Sequence, residues 1–183
     1  MAKIKAHEFI SVDGVYESPS WTMEFGFDPK MGETLSAVMG SCKGLLLGRN
    51  TFEMFAPAWS ARTAEDDPGA PFFNESPKYV VSSAPQLNVE WNNSKLLGPY
   101  NRDAIRDLKD DVDGDLYVSG SGTLDRALLA DGLLDELHLF VYPVLLGDGD
   151  RLFTHGSPNA KLSLAQSDSY DNGVVHLAYA PGA

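Results

Sequence analysis

The 183-residue sequence predicts an α/β fold in which helices pack on a mainly parallel, mixed sheet that ends in an antiparallel hairpin. Strand and helix signals alternate over about three quarters of the chain, which favours parallel strands joined by crossover helices. The apolar run 45–47 lies between two glycines and is typical of a strand buried on both faces. The Asp-Asn-Gly stretch 171–173 joins two alternating runs, 162–170 and 174–180, and therefore predicts the hairpin.

The first predicted elements are a strand, a long loop and a helix. Residues 3–10 alternate and predict the strand. The stretch 14–27 contains glycine, proline, serine and four aromatic residues without a period, which predicts a loop that acts as a lid or binding loop. Asp28 and Pro29 have the residue types of a helix N-cap and of the first helical position. The apolar stripe of that helix is predicted at Met31, Leu35, Val38, Met39 and Cys42.

The later elements continue this alternation. A short helix is predicted to begin at Thr51 and to end at Pro57, because proline disrupts helices. Residues 60–77 are polar and rich in aspartate, glycine and proline, which indicates a surface excursion. The remaining predictions are a strand at 78–82, an exposed helix at 101–111, a strand at 116–119, a helix from Leu124 to near Gly132 and a long strand at 135–146.

Composition and charge limit the domain count and the function classes. The chain is 43% hydrophobic and has no repeat or linker, so we expect one domain over 1–183. Its 14 basic and 26 acidic residues give a net charge of −12, without a basic cluster. This excludes a nucleic-acid binder and disfavours an anionic membrane surface. The single cysteine, Cys42, excludes a disulfide framework and a cysteine-based zinc site, and we expect it in the core.

The sequence shows no signal peptide, no membrane-spanning stretch and no metal-ligand spacing, and these absences are the basis for predicting localisation and metal binding. The N-terminal apolar stretch is too short and too charged for a signal peptide, and no window approaches about 18 uncharged apolar residues. We therefore expect a cytoplasmic protein. The four histidines have no metal-ligand spacing, so we predict no metal site. They are His7, His138, His155 and His176, of which His138 and His176 are expected to be structural histidines in strands.

Small, hydrogen-bonding residues follow three predicted strands, and these positions carry the main functional hypothesis. Ligands of open α/β sheets bind just beyond the carboxyl ends of the strands. Glycine allows close approach to a ligand, helix N-termini bind phosphate, and an arginine can bind an anion with two parallel hydrogen bonds. The pattern fits a long ligand with a pyrophosphate and an extra phosphate. The candidates are Gly48, Arg49, Asn50 and Thr51, then Ser82 and Ser83, and then Gly120, Ser121, Gly122 and Thr123.

Each of these signals alone has a structural alternative. A Gly-x-Gly after a strand also serves tight turns, and Arg49 could be a surface ion-pair partner. The spacing is not that of a Rossmann fingerprint, and there is no Walker A motif. The stretch 119–122 does not have the Gly-x-Ser-x-Gly pattern of a serine hydrolase. The joint occurrence at three strand ends is stronger than any one of the three.

Several motifs occur in an order that resembles the dihydrofolate reductase-like superfamily. The segments are Ser11-Val12-Asp13-Gly14, then 46–53 with its Gly-Arg-Asn-Thr, Val80-Val81-Ser82-Ser83, 117–122, and Leu134-Asp135-Glu136-Leu137. The stretch 143–149, Pro-Val-Leu-Leu-Gly-Asp-Gly, looks most like the reductase (C-terminal) domain of bifunctional riboflavin-biosynthesis deaminase/reductases and their stand-alone relatives. The resemblance covers nearly the whole chain.

The resemblance implies a three-layer fold, with a mainly parallel sheet of about eight strands and a C-terminal antiparallel hairpin at its edge. It also implies NADPH bound across that sheet. Gly48, Arg49 and Thr51 would then meet cofactor phosphates, with Arg49 near the 2′-phosphate. Ser82 and Ser83 would line the adenosine side, and Gly120, Ser121, Gly122 and Thr123 would cradle the pyrophosphate.

The substrate side leaves more alternatives open. In dihydrofolate reductases an acidic residue on the first helix binds the pterin, and Glu33 lies at a similar place, although it could be an ordinary solvated residue. Asp13 could be an acid or a turn residue before a glycine. Tyr16 and Trp21 lie in the predicted lid, where Trp21 could stack on a flat ring or cap the core. The full pterin-binding pattern is absent, which disfavours dihydrofolate as substrate.

These observations predict an NADPH-dependent reductase that transfers a hydride to a small heterocyclic or carbonyl/imine substrate. It would be similar to 5-amino-6-(5-phosphoribosylamino)uracil reductase or to dihydrofolate reductase, with a proton from water, Asp13 or Glu33. One alternative is a non-catalytic nucleotide- or flavin-binding module on the same fold. Another is a dimeric scaffold without a ligand. The apolar strand 137–146 and the family resemblance favour a homodimer in each case.

Overall fold

The computed structural model describes residues 1–157 and 159–182, and an eight-stranded mixed sheet forms its centre. The strand order is β4-β3-β2-β5-β1-β6-β8-β7. The strands are β1 (Ile4–Ser11), β2 (Cys42–Gly48), β3 (Lys78–Val81), β4 (Ser94–Gly98), β5 (Asp115–Ser119), β6 (Glu136–Tyr142), β7 (Leu162–Ser169) and β8 (Val175–Pro181). The helices are α1 (Pro29–Met39), α2 (Arg49–Trp59), α3 (Ala70–Glu75), α4 (Arg102–Asp111) and α5 (Gly122–Ala130), with a 3-10 helix at Pro19–Phe25.

Strand direction divides the sheet into a parallel part and an antiparallel edge. All pairs from β4 through β3, β2, β5 and β1 to β6 are parallel. The pairs β6–β8 and β8–β7 are antiparallel, which confirms the predicted mixed sheet with a C-terminal hairpin. The hairpin turn closes through the Tyr170 N–H, which donates to the Val174 carbonyl over 3.0 Å, and Gly173 adopts a φ of +84°. Glycine adopts that left-handed conformation without strain.

The two faces of the sheet carry separate apolar cores. Because side chains alternate along a strand, Ile4 and Ala6 of β1 pack with α4 and α5, whereas Phe9 packs on the opposite face with residues of α1. The apolar run of β2 serves both faces: Leu46 joins the α4/α5 core, and Leu45 joins a core with α2 and α3. This double burial explains why the run is continuous rather than alternating.

Both predicted ends of helix α2 are wrong, and the predicted surface excursion contains a further helix. Helix α2 begins at Arg49 instead of Thr51 and continues through Pro57 to Trp59. Pro57 lies in the last turn and removes one hydrogen bond, its own to the preceding turn, while burial of Phe52 keeps the helix on the core. The predicted surface excursion 60–77 contains α3, whose ring of Phe73 stacks on Trp59 at 4.1 Å between centroids.

The strand predictions also need corrections. Cys42 is in the core as expected, but it begins β2 instead of ending the helix stripe. The long strand predicted at 135–146 ends at Tyr142, because Pro143 has no N–H to continue a ladder. Strand β4 was not predicted, since its half-buried residues at the sheet edge show no clear alternation. The predicted lid 14–27 contains the 3-10 helix.

Two further observations concern the histidines and the helix lengths. His138 of β6 and His176 of β8 are buried, and the Nδ1 of His138 lies 3.0 Å from the Nε2 of His176. They are structural histidines, as expected.

Among the described residues no helix has both the length and the hydropathy needed to cross a bilayer.

Candidate functional site

A large cavity lies at the carboxyl ends of the parallel strands β2 and β5 and beside the middle of β1. Its volume is about 1390 Å³. One end is lined by the turns that follow β2 and β5, residues 48–51 and 119–124. Residues of α1, the rest of α2 and residues 7–9 of β1 also line it. We call this space the strand-end cavity. Two of the three predicted ligand-binding turns therefore share one space.

Hydrogen bonds between side chains and backbone tie these two turns together. The Gly48 N–H donates to Ser121 Oγ over 3.0 Å, and the Ser121 hydroxyl donates to Thr51 Oγ1 over 2.8 Å. Gly120 and Ser121 both have left-handed backbone conformations, with φ of 65° and 78°. Gly48 and Ser121 are the N-caps of α2 and α5, and neither gives its helix a side-chain cap. The free N–H groups of two helix N-termini therefore lie at the same end of the cavity.

Arg49 lines the cavity from the first residue of α2. Its Nε donates to Glu53 Oε1 over 2.8 Å, one turn along the same helix, and its side chain is 41% exposed. A guanidinium has five N–H donors, so this ion pair leaves the two terminal nitrogens for a ligand. Asn50 also lines the cavity. Both readings of Arg49, ion-pair partner and cavity residue, are thus compatible in one geometry.

Ser82 and Ser83 lie outside the lining of the cavity, contrary to the prediction that they face a shared groove. Val81, the last residue of β3, does line it. Ser82 is buried and its Oγ accepts the Ala84 N–H over 3.1 Å, whereas Ser83 is exposed. The pair forms a local turn after the strand, which is the usual structural role of serine there.

Asp13 also lies outside the cavity lining, and its carboxylate holds two loops together. It accepts hydrogen bonds from the Ser11 hydroxyl at 2.6 Å and from the Gly147 and Leu146 N–H groups at 2.9 and 3.2 Å. Arg151 Nη2 adds an ion pair at 3.3 Å. The hydroxyl of Ser11 and the two N–H groups hold the pKa of Asp13 well below its ordinary value. A carboxylate kept ionised in this way does not fit the role of proton donor.

Tyr16 lines the cavity and packs on the Gly-x-Gly turn. A Cβ atom on Gly122 would lie 2.6 Å from the Tyr16 ring, so the ring and the glycine require each other. Burial raises the pKa of the Tyr16 hydroxyl. The predicted lid thus touches the predicted pyrophosphate turn through this residue.

The predicted substrate-side residues Trp21 and Glu33 differ in whether they line the cavity. Trp21 is outside the cavity lining: its ring meets Tyr142 edge-on at 5.4 Å, and its Nε1 donates to the Glu17 carbonyl. It therefore caps the core, one of the two alternatives for this residue. Glu33 is an exposed residue of α1 that lines the cavity.

The floor of the cavity contains a pair of residues that sequence reasoning missed. His7 of β1 and Tyr117 of β5 both line the cavity, and the Tyr117 hydroxyl lies 2.7 Å from the His7 Nδ1. Burial lowers the pKa of His7 to about 3, so its ring is neutral at physiological pH. His7 and Phe9 are two residues apart in the predicted first strand, so their side chains lie on one face of the sheet. This spacing is the signal that places His7 beside an aromatic cluster.

A second missed pair lies on the opposite face of the sheet. Glu8 of β1 also lines the cavity, and Asp125 of α5 is close to it; each is 3% exposed. Glu8 Oε1 and both carboxylate oxygens of Asp125 have no hydrogen-bond partner among the described residues. Burial and mutual repulsion raise the pKa of Glu8, and burial raises that of Asp125. Two carboxyl groups in this situation hold a proton instead of two negative charges.

Comparison with known proteins identifies the family. The profile of the RibD C-terminal domain family matches residues 2–176. The uncharacterized protein YyaP of Bacillus subtilis (strain 168) is 24% identical over 173 residues, which cover 93% of this chain and 90% of YyaP. A solved structure of a putative riboflavin biosynthesis protein from Shewanella sp. PV-4 is similar with a TM-score of 0.80 and 22% identity, over 100% of both chains.

Dihydrofolate reductase from Enterococcus faecalis, solved in complex with NADP(H), has a TM-score of 0.60 and 14% identity. That alignment covers 99% of this chain and 97% of the reductase. The similarity confirms the predicted dihydrofolate reductase-like fold. The profile match over nearly the whole length shows that the chain belongs to the RibD C-terminal domain family.

Proposed function

We propose that this protein is an NADPH-dependent reductase that transfers a hydride to a small heterocyclic or carbonyl/imine substrate, in the manner of a riboflavin-pathway pyrimidine reductase. One observation carries the proposal: two joined helix N-termini and Arg49 line the same cavity as several aromatic side chains. Membership of the RibD C-terminal domain family supports the reaction class.

The phosphate end has the donors that a dinucleotide needs. The N-termini of α2 and α5 carry free N–H groups and partial positive charge, which together favour a pyrophosphate. Gly120 lets the backbone approach it closely, whereas the Tyr16 ring packs on Gly122. The terminal nitrogens of Arg49 are the proposed partners of the 2′-phosphate, Thr51 also meets a cofactor phosphate, and Thr123 belongs to the pyrophosphate turn. These local donors offset the net charge of −12, because a nest of N–H groups binds anions irrespective of the overall charge.

The opposite end fits a flat substrate. Phe55 and Trp59 of α2 and Phe9 of β1 line it, and such side chains hold an aromatic ring and exclude water. When bound, NADPH supplies the hydride, and the chain supplies orientation. Glu33 lines this end from α1, and we propose this carboxyl group or water as the source of the proton. Asp13 is not part of the proposal, because four donors hold its carboxylate between two loops.

Calorimetric titration with NADPH and NADH tests the proposal. Wild type should bind NADPH, and Arg49→Ala should weaken that binding by about tenfold or more, with a smaller effect on NADH, because a charge-assisted hydrogen bond is lost. Arg106→Ala is the matched control: Arg106 is 44% exposed, forms an ion pair on α4 with Asp103 and lies outside the cavity lining. It should leave both affinities unchanged.

A screen of NADPH oxidation with pyrimidinone, pterin and quinone substrates completes the test. Turnover of one of these substrates supports a reductase. Binding of NADPH without any turnover would favour a non-catalytic nucleotide-binding module. Absence of NADPH binding at millimolar concentration would refute the proposed function.

A further inference from the structure

Aromatic rings surround one hydrogen-bonded pair on the floor of the strand-end cavity. His7 is 7% exposed, and the edges of Phe9 and Phe140 pack against its ring at centroid distances of 5.0 and 6.1 Å. The Tyr117 ring stacks on it at 5.3 Å and 13°. These contacts fix the imidazole plane, so the ring cannot turn without breaking aromatic packing.

The hydrogen bond to Tyr117 occupies only one of the two ring nitrogens. Nδ1 of His7 bonds the Tyr117 hydroxyl, and Nε2 has no hydrogen-bond partner among the described residues. Nδ1 and Nε2 cannot both be acceptors in a neutral imidazole, so the hydroxyl decides which of them carries the proton. When Tyr117 donates to Nδ1, Nε2 carries the hydrogen and offers a donor.

The His7–Tyr117 pair itself carries no charge that would select a cation. Burial keeps the His7 ring neutral, and burial raises the pKa of the Tyr117 hydroxyl well above its ordinary value. Glu8 lines the cavity, but its side chain belongs to the opposite face of the sheet, against Asp125. A ligand ring that carries a positive charge would therefore lose its hydration without meeting a counter-charge from this pair. The Glu33 carboxyl group, which lines the cavity from α1, is exposed, so water screens its attraction to a cation.

We propose that His7, oriented by Tyr117, recognises the substrate by donating its Nε2–H to a carbonyl oxygen or ring nitrogen of an uncharged heterocycle. His7 is then a specificity-determining residue, and Tyr117 is a positioning residue that acts through it. The inference rests on the proposed function, because it takes the floor between α1 and the sheet as the substrate side of the cavity. It adds to that function the residues that select the ring.

Binding of two small probes tests this pair without requiring turnover. The uncharged probe is 5,6-diaminouracil, and the cationic probe is 2,4-diaminopyrimidine, protonated at pH 6. Quenching of tryptophan fluorescence reports binding, since Trp59 lines the cavity. Wild type should prefer the uncharged probe. His7→Phe should weaken its binding about tenfold and remove the preference, and Tyr117→Phe should weaken it about threefold, because one hydrogen bond or its orientation is lost.

Tyr142→Phe is the control, since Tyr142 is an equally buried tyrosine outside the cavity lining and should bind both probes like wild type. Nitrogen NMR of wild type adds a measurement that needs no variant: the His7 Nε2 resonance should move when the uncharged probe is added. An unmoved resonance, unchanged affinity in both floor variants, or a preference of wild type for the cation overturns the inference.

NADPH titration of the same samples separates the two proposals. Wild type that binds the uncharged probe through His7 but does not bind NADPH contradicts the proposed reductase and leaves the recognition pair standing. Conversely, if wild type binds NADPH while His7→Phe and Tyr117→Phe bind the probe normally, the recognition pair is contradicted and the proposed reductase stands.

Discussion

His7 and Glu8 are neighbours in β1, yet the two faces of the sheet place their side chains in opposite situations. On the α1 side, His7 has a hydrogen-bond partner in Tyr117 and aromatic rings around it. On the α5 side, Glu8 meets Asp125, and three of their four carboxylate oxygens are without a hydrogen-bond partner among the described residues. Burial favours the neutral form of both neighbours, but His7 becomes neutral by losing a proton, whereas the acid pair is relieved only by holding one.

The two pairs therefore give stability opposite dependences on pH. Burial lowers the pKa of folded His7 to about 3 from 6.5, so its contribution to stability is present above pH 6.5 and is lost as the pH falls towards 3. Burial raises the pKa of Asp125 to about 7 and that of Glu8 well above 4.5. The contribution of this pair is present at low pH and is lost as the pH rises through 7.

The largest expected effect comes from breaking the carboxyl pair. Glu8→Gln removes one acid and gives Asp125 an amide donor, so it should raise the free energy of unfolding at pH 8 by about 3 kcal/mol. At pH 5 the gain should be much smaller, because the wild-type pair then holds its proton. Denaturant unfolding at the two pH values measures both numbers.

Glu24→Gln is the matched control for this change, because Glu24 is exposed. It should leave the stability at pH 5 and pH 8 within the range of ordinary surface substitutions. An equal effect of Glu8→Gln at both pH values would show that the acid pair does not hold a proton.

A somewhat smaller effect is expected on the other face. Between pH 7 and pH 5 the wild type should lose about 2 kcal/mol of stability through His7, because the unfolded chain takes up a proton that the folded ring refuses. His7→Phe should lack this loss, which urea unfolding at the two pH values detects. His155→Phe replaces an exposed histidine and should keep the wild-type slope; a wild-type slope in His7→Phe would contradict the account.

The smallest expected effect isolates the hydrogen bond between the floor residues. Tyr117→Phe keeps the aromatic packing and removes the hydroxyl, so the protein should lose about 1 kcal/mol at pH 7. Tyr142→Phe, in which no side-chain hydrogen bond is lost among the described residues, should lose less. Thermal unfolding of the two variants side by side gives the comparison, and equal losses would mean that the Tyr117 hydroxyl contributes nothing through His7.

Burial also explains which parts of the fold the sequence could predict. Periodicity and glycine boundaries identified β2 and the final hairpin, because burial on two faces or one face leaves a direct mark on residue order. The predicted helix α2 was too short, because the rule that proline ends a helix takes no account of tertiary packing. Burial of Phe52 outweighs the one hydrogen bond that is lost near the helix end. Strand β4 at the sheet edge had no comparable mark.

The site divides in a similar way. Gly48, Arg49 and Gly120 were identified because strand-end turns have a local composition, and the structure brings them to one cavity. Ser82 has the same local composition, but its hydroxyl is used by its own turn. The pairing of His7 with Tyr117 joins positions 110 residues apart, and such a contact depends on the strand order, which no local pattern contains.

A crystal structure of the protein with NADPH tests the central claim most directly. The account predicts the pyrophosphate at the turn 120–122, between the N-termini of α2 and α5, with Arg49 on the 2′-phosphate and the nicotinamide facing the floor formed by His7 and Tyr117. A dinucleotide bound elsewhere, or a strand-end cavity that stays free of it at saturating concentration, would contradict the account.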